Sequence, residues 1–305
     1  MPEMNRRSLL KATGTLISGA VWHAVLPAQE NRAKELLFSL AHLTVLGCPP
    51  PEATRIAAHA GYDLVSLRII PMGLPNEPLY DLARNPVLLR ETRTALVETG
   101  LRLHDIELAR IADGVDVRSY LPAIETGAEL GARRVIASIW TRDRHAAIDS
   151  LDSLCELSAK AGISVSLEFV SWANVSTLQE VLALRRAVGT AAPGLLIDVL
   201  HFQRARVRLE ELNAVPREWF HFAHISDAPR EAPTTQDGLI HEGREARLYP
   251  GEGGIDIAGI VNRIPVVPYS LEIPNIQRVR ELGYAEHARR CLETTRKYFH
   301  AHRRA

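Results

Sequence analysis

The pattern of hydrophobic and polar residues changes near residue 36, after which apolar runs and amphipathic stretches alternate along the chain. The runs are short and rich in aliphatic and β-branched residues, which is typical of buried strands. They predict eight strands, at residues 37–45, 64–70, 101–111, 134–140, 164–170, 195–200, 220–226 and 267–273. The stretches between them follow the helical period and predict helices at residues 51–60, 87–99, 121–130, 146–161, 177–188, 209–214, 257–264 and 285–300.

Repeated strand–helix units of this size imply parallel strands joined by right-handed crossovers. Eight such units favour a single (β/α)8 barrel, the TIM barrel, over a doubly wound open sheet. The open sheet also lacks its usual fingerprint, because no Gly-x-Gly-x-x-Gly follows the first predicted strand. We therefore expect an α/β fold with one TIM-barrel catalytic domain over residues 31–305.

The first 30 residues have a different character. Arg6 and Arg7 precede a weakly apolar run at residues 12–28 that contains no acidic side chain. This order is typical of a twin-arginine export signal, so we predict a signal segment at residues 1–30 and a periplasmic protein. The alternative is a frayed basic tail on a cytoplasmic protein. The run is too short and interrupted to predict a membrane-spanning helix, and we expect no stable membrane insertion after export.

Composition narrows the range of partners. The chain has 36 basic and 36 acidic side chains, so no overall field favours nucleic acid or an anionic membrane surface. A small-molecule substrate is therefore expected, and no nucleic-acid partner. Cys48, Cys155 and Cys291 are too few and too scattered for a disulfide framework, and we expect three buried free thiols.

Four ionisable residues stand near the carboxyl ends of four successive predicted strands: Glu168, Asp198, His224 and Glu272. A barrel enzyme places its chemistry at that end, on inward-facing positions. Any one of these residues is equally well explained as part of a buried ion pair or as a satisfied core histidine. Three carboxylates buried together are harder to explain, because without a cation each costs several kcal/mol or must be protonated. Their coincidence predicts a divalent-metal site.

The donor set indicates the kind of metal. Oxygen-rich ligation with one imidazole suits Mn²⁺, Mg²⁺ or Co²⁺ better than a metal that prefers thiolates. We expect one divalent ion with Mn²⁺ preferred, and Mg²⁺, Co²⁺ and Zn²⁺ as alternatives.

These residues lie in motifs that resemble the xylose isomerase-like TIM barrel superfamily, and within it the sugar phosphate isomerase/epimerase group. The motifs are Ser-Leu-Glu168-Phe, Ile-Asp198-Val-Leu-His201, His224-Ile-Ser-Asp227-Ala-Pro-Arg230, Pro250-Gly-Glu-Gly253 and Ser-Leu-Glu272. The resemblance covers essentially residues 36–300, and its motifs are specific for the metal but loose for the substrate. The resemblance implies that Glu168, Asp198, His224 and Glu272 are metal ligands and that His201 and Arg230 contact the substrate. Asp227 departs from the ketose 3-epimerases, which have a glutamate there.

The resemblance also implies a reaction. The metal would chelate the carbonyl and neighbouring hydroxyl of a sugar-like α-hydroxyketone and stabilise the enediolate that follows proton abstraction. Glu168 and Glu272 would act as catalytic acid and base as well as ligands. Return of the proton to the opposite face gives epimerisation, and return to the neighbouring carbon gives isomerisation. We therefore predict a metal-dependent isomerase or epimerase.

Other functions remain open on the same residues. A lyase that expels a β-hydroxyl from a keto-sugar or a hydroxylated cyclic acid, like the dehydroshikimate dehydratases, uses the same ligand set. A non-catalytic binding barrel is a further alternative. An abasic-site endonuclease is disfavoured, because it needs an Asp-x-His pair after strand seven, and Asp237 and His241 have a different spacing. Related barrels often pair through helices, which leaves a homo-oligomer open.

Three residues outside the ligand set are expected near the pocket. Arg68 and Glu107, on strands two and three, either reach its mouth or form an ion pair at its rim. Trp172 follows Glu168 closely and forms an apolar wall for the ligand or caps the barrel. We favour the wall, and we include Glu107 among the substrate contacts.

The segment 228–254 is too long for an ordinary connection between a strand and a helix, and we predict a lid there. Arg244 and Arg247 within it either bind a carboxylate or phosphate or remain solvated, and solvation is favoured. His221 has the opposite strand parity to His224 and is expected to face the helices.

Overall fold

The computed structural model describes residues 36–72, 77–189 and 191–302. Within them, eight strands follow one another around a closed barrel, and each neighbouring pair is parallel. Strands β1 to β8 are Phe38–Leu40, Leu64–Arg68, Arg102–Ile111, Arg134–Ile139, Ser164–Glu168, Gly194–Asp198, Phe220–Ile225 and Tyr269–Leu271. The predicted TIM barrel is confirmed. The predicted signal segment, residues 1–30, lies outside the described residues.

Helices connect the strands. Helices α1 to α9 cover Pro50–Ala60, Pro86–Thr99, Leu121–Glu129, Arg144–Lys160, Leu178–Ala187, Val199–Arg204, Gln236–Glu245, Ile257–Val261 and Ile276–His302. Side-chain caps fix several of their starts, since Asp143 accepts hydrogen bonds from the first amides of α4 and Thr177 forms a capping box with Glu180 at α5. In α9, Gly283 has φ +75° and interrupts the helical backbone.

The strands are apolar on both faces because the helices cover the outside of the barrel and side chains fill its inside. β2, β6 and β8 are buried along their whole length. Inside the barrel, Leu108, Ile136, Leu196 and Phe222 form a compact apolar cluster. Leu196 and Phe222 stand two residues before Asp198 and His224, so this cluster forms the layer directly beneath those two side chains.

Two predicted strands end early for a local reason. The run at 37–45 forms a strand only to Leu40 and continues as a 3-10 turn, His42–Val45, because the Thr44 hydroxyl donates to the Leu271 carbonyl. The run at 195–200 turns into α6 after Asp198, whose side chain caps that helix. Polar side chains that bond to the backbone therefore replace the strand pairing.

The segment 228–254, for which a lid is predicted, includes a helix that the hydrophobic pattern did not indicate. It contains α7, which starts where the Thr235 hydroxyl accepts a hydrogen bond from Gly238 N. After the helix, the chain returns to the barrel rim through isolated bridges between Ala246 and Asn275 and between Asp227 and Leu248. The segment is thus tied to the ends of both β7 and β8.

The expectation that His221 faces the helices is wrong. Its Nδ1 lies 2.9 Å from the hydroxyl of Ser166, which shares the inward parity of Glu168, and a Cβ on Gly194 would lie 2.1 Å from its Nε2. The cause is a register shift, because Leu195 pairs with Phe220 whereas Leu196 pairs with Phe222. The extra residue in β7 offsets the alternation and turns His221 into the barrel.

Cys48, Cys155 and Cys291 are buried free thiols, as expected. Among the residues that the structure describes, no helix combines the length and apolar character that crossing a membrane requires.

Candidate metal centre

The four predicted ligands meet at the carboxyl end of the barrel. Glu168 and Asp198 are the last residues of β5 and β6, His224 is the penultimate residue of β7, and Glu272 follows β8. Asp198 pairs directly with His224 across the sheet, so the two side chains have the same depth. All four residues are buried, with at most 6% of their surface exposed.

The imidazole of His224 stands at the centre of the group. Its Nδ1 lies 3.5 Å from Glu168 Oε1, 3.7 Å from Asp198 Oδ2 and 3.3 Å from Glu272 Oε2. Ligand atoms bound at roughly 2.0–2.2 Å to one ion in tetrahedral geometry lie roughly 3.3–3.6 Å apart. The observed separations therefore match a set of donors around a shared cation.

Two further observations fit a cation. Among the described residues, neither nitrogen of His224 nor Oε1 of Glu168 has a hydrogen-bond partner, although all three atoms are buried. Ionised Glu168, Asp198 and Glu272 carry three negative charges, and Arg247 beside them supplies one positive charge. The remaining two negative charges equal the charge of a divalent ion, so these residues can hold one.

The pKa values of the four groups depend strongly on one another. Burial raises the pKa of Glu168 to about 7. Burial would also raise the pKa of Asp198, but the neighbouring Arg247 guanidinium holds it well below its usual range. Burial alone would lower the pKa of His224, whereas the carboxylates, Glu272 first, raise it well above its usual value. A cluster of this kind is typical of functional sites.

Asp198 links the ligand set to His201. Its Oδ1 accepts hydrogen bonds from the amides of Leu200 and His201, at 2.6 and 3.1 Å, which starts α6 and fixes the imidazole above the site. A ring nitrogen of His201 lies within 4.8 Å of the carboxylates of Glu168 and Asp198. The Ser171 amide donates to Nδ1 of His201, so the neutral ring carries its proton on Nε2. Burial lowers the pKa of His201 to about 4, which keeps the ring neutral.

Arg247 is not solvated, contrary to the favoured expectation, since only 2% of it is exposed. Its Nη1 donates to Asp198 Oδ2 at 2.7 Å, its Nη2 lies 2.8 Å from Glu272 Oε2, and its Nε donates to the Gly243 carbonyl. The bridges that tie segment 246–248 to β7 and β8 direct this side chain inward. The only sequence signal was its place between the last two strands, on the same end of the barrel as the ligands.

The pocket at the ligands is lined by both apolar and polar side chains. The apolar ones include Leu43, Met72, Leu108, Ile136, Trp140 and Trp172. Trp172 thus lies at the pocket and packs against α7, where a Cβ on Gly243 would lie 2.2 Å from the indole ring. The glycine is therefore required for this close approach.

Arg68 and Glu107 line the pocket and also pair with each other. Arg68 Nη2 donates to Glu107 Oε2 at 2.7 Å, and Glu77 accepts from Nη1 at 3.4 Å. The two predicted alternatives, a position at the pocket and an ion pair, are thus both present. Oε1 of Glu107 is buried and has no hydrogen-bond partner among the described residues, which leaves it for a ligand hydroxyl.

Arg230 lies elsewhere than the resemblance implied. Its side chain is exposed, and it is not among the described residues that line the pocket. The chain turns outward after the buried Ala228, and Arg204 holds the Pro229 carbonyl at 2.7 Å on this outward path. Six positions after the histidine is therefore not sufficient to place an arginine in this site.

Fold and site together define a TIM-barrel protein with a divalent-metal centre at the carboxyl end of its strands. The chain belongs to the xylose isomerase-like TIM barrel family, whose family model matches residues 54–295.

The individual proteins that resemble this chain have low sequence identity to it. A 3-dehydroshikimate dehydratase of Pseudomonas putida is 29% identical over 138 residues, which cover 44% of this chain and 21% of that protein. An inosose isomerase of Bacillus subtilis is 23% identical over 187 residues, which cover 57% of this chain and 64% of that protein. The chain thus spans about a fifth of the dehydratase and less than two thirds of the isomerase. The solved structure of the IolI protein with a bound zinc atom has a TM-score of 0.70 at 18% identity and covers 88% of this chain and 99% of that one, a likeness in fold.

Proposed function

We propose that this protein is a divalent-metal-dependent isomerase or epimerase. It removes a proton from the carbon beside the carbonyl of a sugar-like α-hydroxyketone and returns a proton to that carbon or to its neighbour. The observation that carries the proposal is the convergence of His224 Nδ1 with oxygens of Glu168, Asp198 and Glu272 in a buried pocket. The isomerase among the similar proteins supports this function.

Glu168, Asp198, His224 and Glu272 would hold the ion, with Mn²⁺ preferred over Mg²⁺, Co²⁺ and Zn²⁺ because the donor set is rich in oxygen. When bound, the ion supplies Lewis acidity that stabilises negative charge on a substrate carbonyl oxygen. Arg247 keeps Asp198 and Glu272 in place as ligands through its two short ion-pair contacts.

Side chains of the protein would transfer the protons and hold the substrate in place. Glu168 ends β5 and Glu272 directly follows β8, three strands further on, so they approach a bound substrate from different sides. One takes the proton from the substrate carbon and the other returns a proton. His201 donates from Nε2 to a substrate oxygen, Glu107 accepts from a hydroxyl, and Trp172 excludes water from the reacting carbon.

A lyase is the second candidate function. One glutamate would take the proton from the carbon beside the carbonyl, as in the first candidate. The C–O bond of a β-hydroxyl would then break as the C=C bond forms, and the hydroxyl would leave as water with a proton from the other glutamate. The identity of 29% with a dehydratase over 138 residues favours this candidate.

Deuterium exchange tests the proposal. Purified protein would be analysed for bound metals and then incubated in D2O with ketoses, an inosose, keto-glycosides and hydroxylated cyclic keto acids, with products followed by NMR. We expect deuterium at the carbon beside the carbonyl, without an alkene, if the protein is an isomerase or epimerase. An alkene product would identify the lyase instead, and absence of both bound metal and exchange across the panel would refute the metal-dependent chemistry.

We also propose that residues 1–30 direct export to the periplasm through the pair Arg6 and Arg7. Fractionation of cells that express the full chain and its Arg6→Lys, Arg7→Lys variant tests this. The wild type should appear in the periplasm and the variant should not, and an unchanged distribution would contradict the proposal.

A further inference from the structure

Two arginines beside the pocket share one unusual property: among the described residues, neither has an acidic partner. Arg110 is the penultimate residue of β3, and Arg244 lies near the end of α7. Arg110 stacks on Trp140, with its guanidinium carbon 4.4 Å from the ring centroid. Arg244 and Trp140 both line the pocket. Arg110 does not itself line the pocket, but it contacts Trp140 and its charge lowers the pKa of Arg244, so the two guanidinium groups are neighbours.

The other arginines around this end of the barrel have their charges balanced. Arg68 pairs with Glu107, Arg204 with Glu242, and Arg247 with Asp198 and Glu272, in each case at 2.8 Å or less. In the described part of the chain, neither Arg110 nor Arg244 has a carboxylate oxygen within 4.0 Å. The contrast marks these two cations as the uncompensated pair of the pocket.

Their environment makes the missing counter-charge costly. Arg110 Nη1 donates to the Met72 carbonyl at 3.2 Å, but its buried Nε has no partner among the described residues. Burial, and after it the guanidinium groups of Arg110 and Arg68, lower the pKa of Arg244. Glu77 and Glu245 act in the opposite sense, but Glu77 is paired with Arg68 and Glu245 with His241. An anion between the two arginines would remove their repulsion.

The Arg110 guanidinium keeps a donor for an anion. The indole of Trp140 packs against the guanidinium, Nη1 donates to the Met72 carbonyl, and Nη2 has no hydrogen bond to the described residues. Two parallel N–H groups of a guanidinium match the two oxygens of a carboxylate. We propose that Arg110 and Arg244 form an anion subsite that binds a carboxylate of the substrate, so that the enzyme acts on a hydroxylated keto acid.

This inference rests on the proposed function, because it assigns the other end of the molecule whose carbonyl would face the metal centre. Arg244 lines the same pocket as Glu168, His224 and Glu272, so one small substrate can reach both ends. The metal centre would act on the keto and hydroxyl groups, and the two arginines would select and orient the acid.

Binding measurements on matched ligands test the subsite. The metal-loaded full chain would be titrated calorimetrically with a panel of cyclic hydroxylated keto acids that includes 3-dehydroshikimate, with the methyl ester of each acid, with an inosose and with inorganic phosphate. We expect at least one acid to bind about 10- to 100-fold more tightly than its ester, the range for a hydrogen-bonded charge pair that is partly buried. Arg110→Met and Arg244→Met should each remove most of that preference and leave ester binding unchanged.

Arg142→Met is the matched control, since Arg142 is an exposed arginine in the connection between β4 and α4 and does not line the pocket. It should leave the preference intact. Arg244→Lys should restore it partly, and Arg244→Met remains informative if the Arg110 variant does not fold.

The subsite proposal is overturned if no acid of the panel binds more tightly than its ester, if the arginine variants weaken acid and ester alike, or if only phosphate responds to them. Its failure is distinguishable from failure of the proposed function. Acid-specific, arginine-dependent binding without deuterium exchange would sustain the subsite and refute the chemistry. Deuterium exchange into a neutral ketose, without tighter binding of any acid than of its ester, would support the proposed chemistry and refute the subsite.

Discussion

Arg247 Nη1 donates a 2.7 Å hydrogen bond to Asp198 Oδ2, the same oxygen that lies 3.7 Å from His224 Nδ1. Oδ2 of Asp198 thus contacts the Arg247 guanidinium and also lies at the site where the predicted ligands would hold the metal ion. Arg247 compensates part of the negative charge of the site and leaves enough for a divalent ion. Ligand geometry and metal affinity are therefore coupled through this one side chain.

Replacing Arg247 should make folding depend on the metal. In Arg247→Met, two buried carboxylates lose their arginine counter-charge, which should destabilise the metal-free protein by about 3–5 kcal/mol. A saturating divalent ion should restore a larger share of stability than it adds to the wild type. Urea unfolding with and without a chelator measures both effects.

Arg204→Met provides the comparison, because Arg204 makes an equally short buried pair with Glu242. That variant should lose similar stability with or without metal. Equal losses in both metal conditions for Arg247→Met would contradict its coupling to the metal centre.

Glu168→Gln and Glu272→Gln should each abolish turnover. Glutamine keeps the volume of the side chain but cannot take a proton, and loss of a general acid or base typically costs about 10²–10⁴-fold in rate. The measurement is the rate of deuterium exchange at saturating metal, with metal content determined for each variant. Glu245→Gln, on the exposed side of α7, should retain the wild-type rate. Near-normal exchange in either site variant would remove that glutamate from the proposed mechanism.

Gly243→Ala should disturb the pocket wall without touching the metal ligands. The added Cβ would lie 2.2 Å from the Trp172 ring, so either the indole or α7 must move. Overpacking of this kind costs about 1–3 kcal/mol, and we expect a higher KM together with lower thermal stability. Steady-state kinetics and thermal unfolding test this, with Glu245→Ala on the same helix as the control. A variant with unchanged KM and stability would show that Trp172 does not need this close packing.

Two buried histidines should make the fold sensitive to acid. Burial lowers the pKa of His42 and of His287 to about 4. Their unfolded pKa is near 6.5, so the unfolded chain takes up protons first as the pH falls. Stability contributed by the neutral rings is therefore complete above about pH 6.5 and is lost progressively toward pH 4, on the order of 2–3 kcal/mol per ring.

Unfolding free energies between pH 4 and 7 test this at constant saturating metal. His287→Gln should reduce the pH dependence, because the ring of His287 is held between the Tyr249 hydroxyl and the Ile273 carbonyl. His241→Gln should not, since that side chain is 66% exposed. An unchanged slope in His287→Gln would show that this ring does not contribute.

The sequence predicted the architecture well because the signal was repeated eight times. Each apolar run and each helical stretch is a weak indicator alone, but their regular alternation excludes most other folds. Errors fell at the boundaries and in one long segment. Thr44 and Asp198 ended strands through side-chain bonds to the backbone, and α7 was overlooked in a segment rich in proline and glycine.

The ligand set was predictable for a simple geometric reason. In a closed parallel barrel, the carboxyl ends of all strands meet at one rim, so a position in a strand already determines a depth in the site. Glu168, Asp198, His224 and Glu272 therefore assembled from their strand positions alone. The same rule failed for His221, because a register shift in β7 is not visible in the pattern of residue types.

The sequence by itself determined the barrel, the end of it that carries chemistry, and the acids and imidazole that converge there. Only the tertiary structure decided which arginines belong to the site. Arg247 is buried against two of the acids, Arg110 and Arg244 stand without an acidic partner in the described chain, and Arg230 is exposed and does not line the pocket. Strand positions follow a fixed period, whereas a side chain on a long connection goes where the hydrogen bonds at both ends of that connection place it.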